Sequence, residues 1–539
     1  MNAPFVAAIP SRFPTVDADT LARRLREDAE IAVVDVREEG VQARDGYIIF
    51  AVPLPLSRLE LRAGTLLKRP RVPIVVTDSG PGELAERAAL KLAELGFVNV
   101  SVLAGGVASW AASGREVYTG SGAYSKAFGE FVEHAYGTPH LKAEELKARC
   151  DAGEGIVVLD GRTLQEFENF SLPGAHAVPN AELPLRVHDF IASPDDLVVV
   201  NCAGRTRSII GAQALINAGL PNKVVALENG TMAWLAKGWS LEHGRKVELQ
   251  APSNAAIEQA KATVERLSHR FNLSWIDEAT LARFRSEADE RSLYVYDVRT
   301  EAEFKAGHLP FAQWAEGGQL VQGIDRWIST RNARIVVVDD ELGARAAITA
   351  SWLVQLGWGE VYALAVRQTG DGRLTGPDRP LLLREPPAVE LVTPDALKAE
   401  LDAGAAWVID LDTSLVYAAG HVPGAKFAVR AKLDAARDFE GDASIVLTSS
   451  DGTLAAFAAA ELAGQRVRVL AGGTKAWRAS GLPLETGETA IIHPADDVWR
   501  SPYQQSGDRL AAFQAYLDWE IGLLEQIRRD PAVSFKVFP

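Results

Sequence analysis

At 539 residues the chain is too long for one hydrophobic core, and at roughly one domain per 150 residues it calls for three or four. A formal net charge of -15 at pH 7 opposes binding to nucleic acid or to anionic lipid head groups, so neither partner is expected. Two cysteines, Cys150 and Cys202, are too few for a disulfide scaffold or a paired-CxxC zinc site, and they suit a reducing cytoplasm.

The N-terminal stretch has its first basic residue at Arg12, after Pro4 and Pro10, and lacks the basic-then-apolar order of a secretory signal. No uninterrupted apolar window of about 18 residues occurs, so no membrane span is expected and the chain reads as cytosolic.

Along the chain one pattern comes round four times. A short strand ending in an acidic turn appears as IAVVDVREEG (31–40), IVVLDGRTLQEF (156–167), LYVYDVRTEAEF (293–304) and WVIDLDTSLVYAAG (407–420). The lead aspartates Asp35, Asp160, Asp297 and Asp410 lie 113 to 137 residues apart, a domain-sized period. Each copy continues to a second β-branched strand: PIVVTD (73–78), LVVVNC (197–202), RIVVVDD (334–340) and SIVLTSS (444–450). Short Val/Ile runs of this kind fit strands buried on both faces of a parallel sheet. An Ala/Leu-rich helical stretch follows, as in 82–97 and 208–220, then another strand and a segment such as VLAGGVASW (102–110), ALENGTMAW (226–234) or VLAGGTKAW (469–477). This order predicts βαβ units, and hence four tandem α/β domains, each a mostly parallel central sheet flanked by helices.

The boundaries are placed at 1–120, 138–245, 273–370 and 391–488, with linkers near 120–138, 246–273 and 370–391. The middle linker predicts an amphipathic helix over 254–271 with Ile257, Ala260, Val264 and Leu267 on one face. The tail, 489–539, carries Trp499, Tyr503, Phe513, Tyr516 and Trp519 and is expected to pack on a domain.

The copies differ at the junction between second strand and helix. The second alone has a nucleophile there, Cys202 in NCAGRTRS (201–208); the cysteine region of the others holds Asp78 or Ser79, Asp340, and Ser449 or Ser450. A thiol on a strand-to-helix loop sits at the carboxyl edge of a parallel sheet, where α/β folds place ligands. Amides of the loop and first helical turn then face the sulfur, favouring a thiolate and a bound anion. Arg205 and Arg207 add two positive charges, and Ser208 is expected to cap the helix. Cys150, in the helical segment LKAEELKARC, has no such surroundings and reads as inert.

Read together, the D-x-R turn, the following GHLP or LPGA segment, the cysteine loop and the L-x-G-G-x-x-x-W segment resemble the rhodanese family over nearly the whole chain, as four rhodanese-like domains of which only the second is active. The resemblance implies sulfur transfer through a persulfide on Cys202, with no metal or organic cofactor. The donor would be an anion such as thiosulfate, the acceptor cyanide or a small thiol, and a protein acceptor is a further option. It makes Cys202 the carrier, Arg207 the residue that binds the donor and stabilises the thiolate, and Ala203, Gly204, Arg205, Thr206 and Ser208 the donor-binding loop. For Arg205 a plain surface charge competes with that role. Asp160 and Arg162 recur in modified form in the cysteine-free copies and are expected to pair structurally. The second copy has LPGAHAVPN in place of GHIPGA, which leaves His176 a packing role.

A cysteine-dependent phosphatase would need C-x5-R, but six residues after Cys202 stands Ser208, and Arg207 falls at five. The remaining alternative is a non-catalytic scaffold of such modules, with Cys202 as a redox sensor or sulfur relay.

Overall fold

The computed structural model describes residues 12–80, 83–433, 444–462 and 467–539. Pro4 and Pro10, on which part of the N-terminal reading rests, lie outside the described residues. Within them, the β-branched runs form strands buried on both faces, sandwiched between helices.

Each repeat builds a sheet of the same strand order. In the second it runs His140–Leu141, Val224–Leu227, Leu197–Asn201, Ile156–Asp160 and His176–Ala177, all parallel. The first sheet gains an antiparallel strand from the third repeat, where Thr330 and Arg331 pair with Ala32 and Ile31. No helix among the described residues is long and apolar enough to cross a membrane.

The sheet registers align the four junctions. Asp35 stands opposite Thr77, Asp160 opposite Asn201, Asp297 opposite Val338 and Asp410 opposite Thr448. The residues one step beyond, Asp78, Cys202, Asp339 and Ser449, are therefore equivalent; in the third domain the counterpart of the cysteine is Asp339, not Asp340.

Three of the D-x-R turns are buried ion pairs. Arg162 donates from Nε and Nη2 to the two oxygens of Asp160, both at 2.8 Å, and from Nη2 to the Phe170 carbonyl at 2.6 Å. Arg37 and Arg299 hold Asp35 and Asp297 the same way and reach the carbonyls of Gly46 and Gly307. The pair locks the strand end to the following loop whether or not a cysteine is present.

Two segments read as linkers are helices. Ala123–Tyr136 runs through the centre of the molecule, where Tyr124 donates to the Leu356 carbonyl at 2.6 Å and Ser125 to that of Val321 at 2.9 Å. Asn254–Arg270 is capped by Ser253, and it buries Ala256, Ala260, Thr263 and Leu267 with Ile257 and Val264 half-buried beside them.

Candidate active site

Cys202 is the first residue past the strand Leu197–Asn201 and lies in the turn that leads into the helix Thr206–Asn217. Its carbonyl accepts the Thr231 N–H at 2.9 Å, and that of Ala203 accepts the Met232 N–H at 3.1 Å. Because a trans peptide points its N–H opposite to its C=O, these bonds turn the amides of Ala203 and Gly204 away from the helix Gly230–Ala236 and into the hollow of the loop. Asn229 and Gly230 adopt left-handed backbone (φ 58° and 50°), and a Cβ on Gly230 would stand 2.2 Å from the Cys202 carbonyl oxygen. Gly230, in the segment ALENGTMAW, is thus a seat for the cysteine loop.

Arg207 is buried and clamps Glu166 with two bonds, 2.6 and 2.7 Å. Burial opposes its charge, but Glu166 and then the Cys202 sulfur outweigh that and hold the guanidinium above its ordinary value. Burial likewise works against the Glu166 carboxylate, yet Arg207 and Arg162 bring it down to about 2. Glu166 is itself fixed by a capping box with Thr163, so the first turn of the helix Leu164–Asn169 orients the arginine. In the third domain Arg345 meets Glu303, the capping-box residue there, in the same manner, and also Asp339, Asp340 and Glu182 of the second domain.

The other loop residues divide. Arg205 is 8% exposed and turns outward to Glu130, at 2.7 and 2.8 Å, and to Glu133 on the central helix. The surface-charge alternative for Arg205 is therefore overturned, and both arginines of the loop are buried and paired with carboxylates. Glu130 is pushed up to about 7 by burial, only partly offset by Arg205, with Glu520 and Glu133 adding repulsion. Ser208 is the third residue of its helix, not the cap: the N-cap is Arg205, and the Ser208 hydroxyl donates to the Arg205 carbonyl at 2.7 Å. Cys150 is exposed, whereas Cys202 is 2% exposed. His176 is exposed and packs on Phe190 with centroids 4.6 Å apart. The place taken by the buried His308 and His421 in the third and fourth domains is held in the second by Ser171, as the matching bridges to 242, 374 and 485 show.

What the loop sequence does not announce is the role of the tail. Its helix Arg509–Arg528 starts at Asp508, which accepts from the amides of Leu510 and Ala511, and it buries Phe513, Leu517, Glu520, Leu523 and Ile527. Phe513 and Leu517 pack with Met232 of the second domain. Tyr503 donates to the Ala203 carbonyl at 3.2 Å and shares a 2.6 Å bond with Thr231, and both Tyr503 and Tyr516 lie within electrostatic reach of the Cys202 sulfur. Glu520 accepts from the Thr206 amide at 3.3 Å and from its hydroxyl. Sequence reasoning missed Glu520; the signal was a carboxylate in the middle of an otherwise apolar helical stripe.

Comparison with known proteins follows the same lines. A model of the rhodanese-like domain matches residues 17–113, 142–237, 280–365 and 393–480. A solved structure of thiosulfate sulfurtransferase from Pseudomonas aeruginosa is 41% identical, covers 98% of this chain and 100% of its own, and superposes with a TM-score of 0.91. The putative sulfur carrier protein YrkF of Bacillus subtilis (strain 168) is 26% identical over 137 residues, 24% of this chain and 72% of that protein.

Proposed function

Because the chain belongs to the rhodanese family, as a rhodanese-type enzyme of four tandem domains, we propose that it moves sulfane sulfur through a persulfide on Cys202. The observation that carries this is the setting of one sulfur: Cys202 follows a buried strand, the Ala203 and Gly204 amides turn away from the helix Gly230–Ala236, and Arg207, clamped by Glu166, is charge-coupled to the sulfur. The other three domains put Asp78, Asp339 and Ser449 at that position, and none of these can carry sulfane sulfur.

With thiosulfate as donor, the Cys202 thiolate attacks the outer sulfur. A new S–S bond forms on the protein, the donor S–S bond breaks, and sulfite leaves with the electron pair. Loop amides and Arg207 stabilise the charge on the departing group. Cyanide or a small thiol then attacks the outer persulfide sulfur and returns the Cys202 thiolate. The chain's own residues supply every group these steps need. The 41% identity to a thiosulfate sulfurtransferase over the full length supports thiosulfate as the donor.

The test is mass spectrometry after incubation with thiosulfate. Wild type should gain one sulfur on the Cys202 peptide and lose it to cyanide, whereas Cys202→Ser should gain none. Wild-type protein that never gains the sulfur would leave the scaffold or sensor reading in its place.

A further inference from the structure

An anionic donor calls for positive charge that is not already neutralised, and the arginines around the cysteine loop are all paired. Arg205 is held by Glu130 and Glu133, Arg207 by Glu166, and Arg162 of the D-x-R turn is closed on Asp160.

The central helix brings another cation to the same place. Lys126, Gly129, Glu130 and Glu133 follow one another at helical spacing and form one stripe of Ala123–Tyr136. That stripe faces the start of the active helix. Gly129 packs on Thr206, with a Cβ there only 2.9 Å from the threonine methyl, while Glu130 and Glu133 take Arg205. Lys126 continues the stripe one turn nearer the helix N-terminus. Its ammonium is charge-coupled to Glu520 and Arg207, and Tyr516 is coupled to both of these and to the Cys202 sulfur. The lysine therefore belongs to the charge network around Cys202.

Lys126 is 8% exposed, yet among the described residues its ammonium makes no hydrogen bond and no ion pair. Glu520, which attracts it, is already held by the Thr206 amide and hydroxyl and by Tyr516. From the third domain, Asp325 and Arg326 act on it with opposite signs. Burial pulls the ammonium below its ordinary value, and Glu520 offsets this only in part. A buried cation without a direct partner costs folding energy that a bound anion would offset.

We propose that Lys126 binds the oxygen-bearing end of an anionic sulfur donor, and the sulfite that leaves it, adding a charge from outside the cysteine loop to the loop amides and Arg207. This deepens the sulfur-transfer reading and rests on it for the substrate class.

Binding is separated from chemistry in Cys202→Ser, which cannot form a persulfide. Isothermal titration with thiosulfate compares this protein with forms that also carry Lys126→Met or Lys126→Arg. Methionine should weaken binding about thirtyfold, the scale of one charge-assisted hydrogen bond, and arginine, which keeps the charge, should restore most of it. The methionine form should melt no lower than its parent, because it removes a buried charge that has no ion pair. Equal affinity with lysine, methionine and arginine at 126, including no measurable binding to any of them, overturns the proposal. So does a methionine form whose weaker binding comes with a lower melting temperature and is not rescued by arginine, the mark of a packing residue. Thiosulfate that binds through Lys126 but never loads sulfur onto Cys202 of wild type would sink the transfer reading and keep the anion site. Loading of wild type with an affinity indifferent to residue 126 would keep the transfer reading and overturn the role of Lys126.

Discussion

Replacing Asp410 by Asn should stabilise the fourth domain, and increasingly so as the pH rises. Asp410 ends its strand as Asp35, Asp160 and Asp297 end theirs, but the D-x-R turn there reads D-L-D, so Asp412 stands where an arginine would pair with it. The carboxyl is 1% exposed. Burial, with repulsion from Asp412, raises it from 3.8 to about 7, against a hydrogen bond from the Asp412 amide and the more distant Arg58. A folded-state value above the unfolded one means the favourable contribution is complete below the unfolded value and is lost as pH climbs through the folded one. A shift of about three units corresponds to roughly 4 kcal/mol as an upper bound. Asparagine keeps the acceptor for the Asp412 amide and never ionises. Hydrogen exchange of strands Ala406–Asp410 and Ser444–Thr448, corrected for intrinsic rates, reads the opening free energy of variant and wild type. The difference should grow between about pH 4 and about pH 7 and then level off. A difference flat across that range would refute the idea that the missing arginine leaves a buried carboxyl uncompensated.

Arg207→Ala should lower kcat/KM for thiosulfate about a hundredfold, the scale of one charged group facing developing charge, mostly through weaker donor binding; unchanged donor kinetics would mean that the loop amides suffice. Arg205→Ala should instead cost stability, about 3–5 kcal/mol as for other broken buried pairs, with a lowered melting temperature and little change in donor KM. Gly230→Ala adds a Cβ 2.2 Å from the Cys202 carbonyl in left-handed backbone, so folded protein should show slowed persulfide formation; a wild-type rate would count against the seat assigned to that glycine.

The fold was legible because its signals are local. Val/Ile runs and the aspartate that ends them recur at a domain-sized period, and each reflects a contact within one repeat. Cys202 was legible for the same reason: strand, loop and helix around it are contiguous. What stayed hidden was long-range. Arg205 looks like a free charge until Glu130 and Glu133, some 70 residues upstream, arrive on a helix that the sequence offers as a linker. Ser208 reads as a cap because a serine ahead of an apolar run usually is one, whereas the helix here begins two residues earlier. The one-residue shift from Asp340 to Asp339 needed the sheet register, since two adjacent aspartates look alike in sequence.

The tail bears on why the one cysteine at a strand-to-helix junction is set among four domains. Glu520 is separated from Thr206 by 314 residues, and its approach depends on a helix that also rests on the central helix Ala123–Tyr136. That central helix is held in turn by carbonyls at Val321 and Leu356 of the third domain. At Gly129 it comes so close to Thr206 that a Cβ would stand 2.9 Å from the threonine methyl. The first domain enters through Tyr118, which donates to Asp530 just past the tail helix at 3.1 Å, and the fourth is tied to the first by Arg430 on Glu60. Position therefore passes from the cysteine-free domains to the Cys202 loop through packed helices. In the first and third domains the position of the cysteine is held by Asp78 and Asp339, which accept from the amides of Ala85 and Arg345 and so fix the loop within the domain itself. On this view the cysteine-free domains act by fixing where a carboxylate from the far end of the chain meets the amide of Thr206.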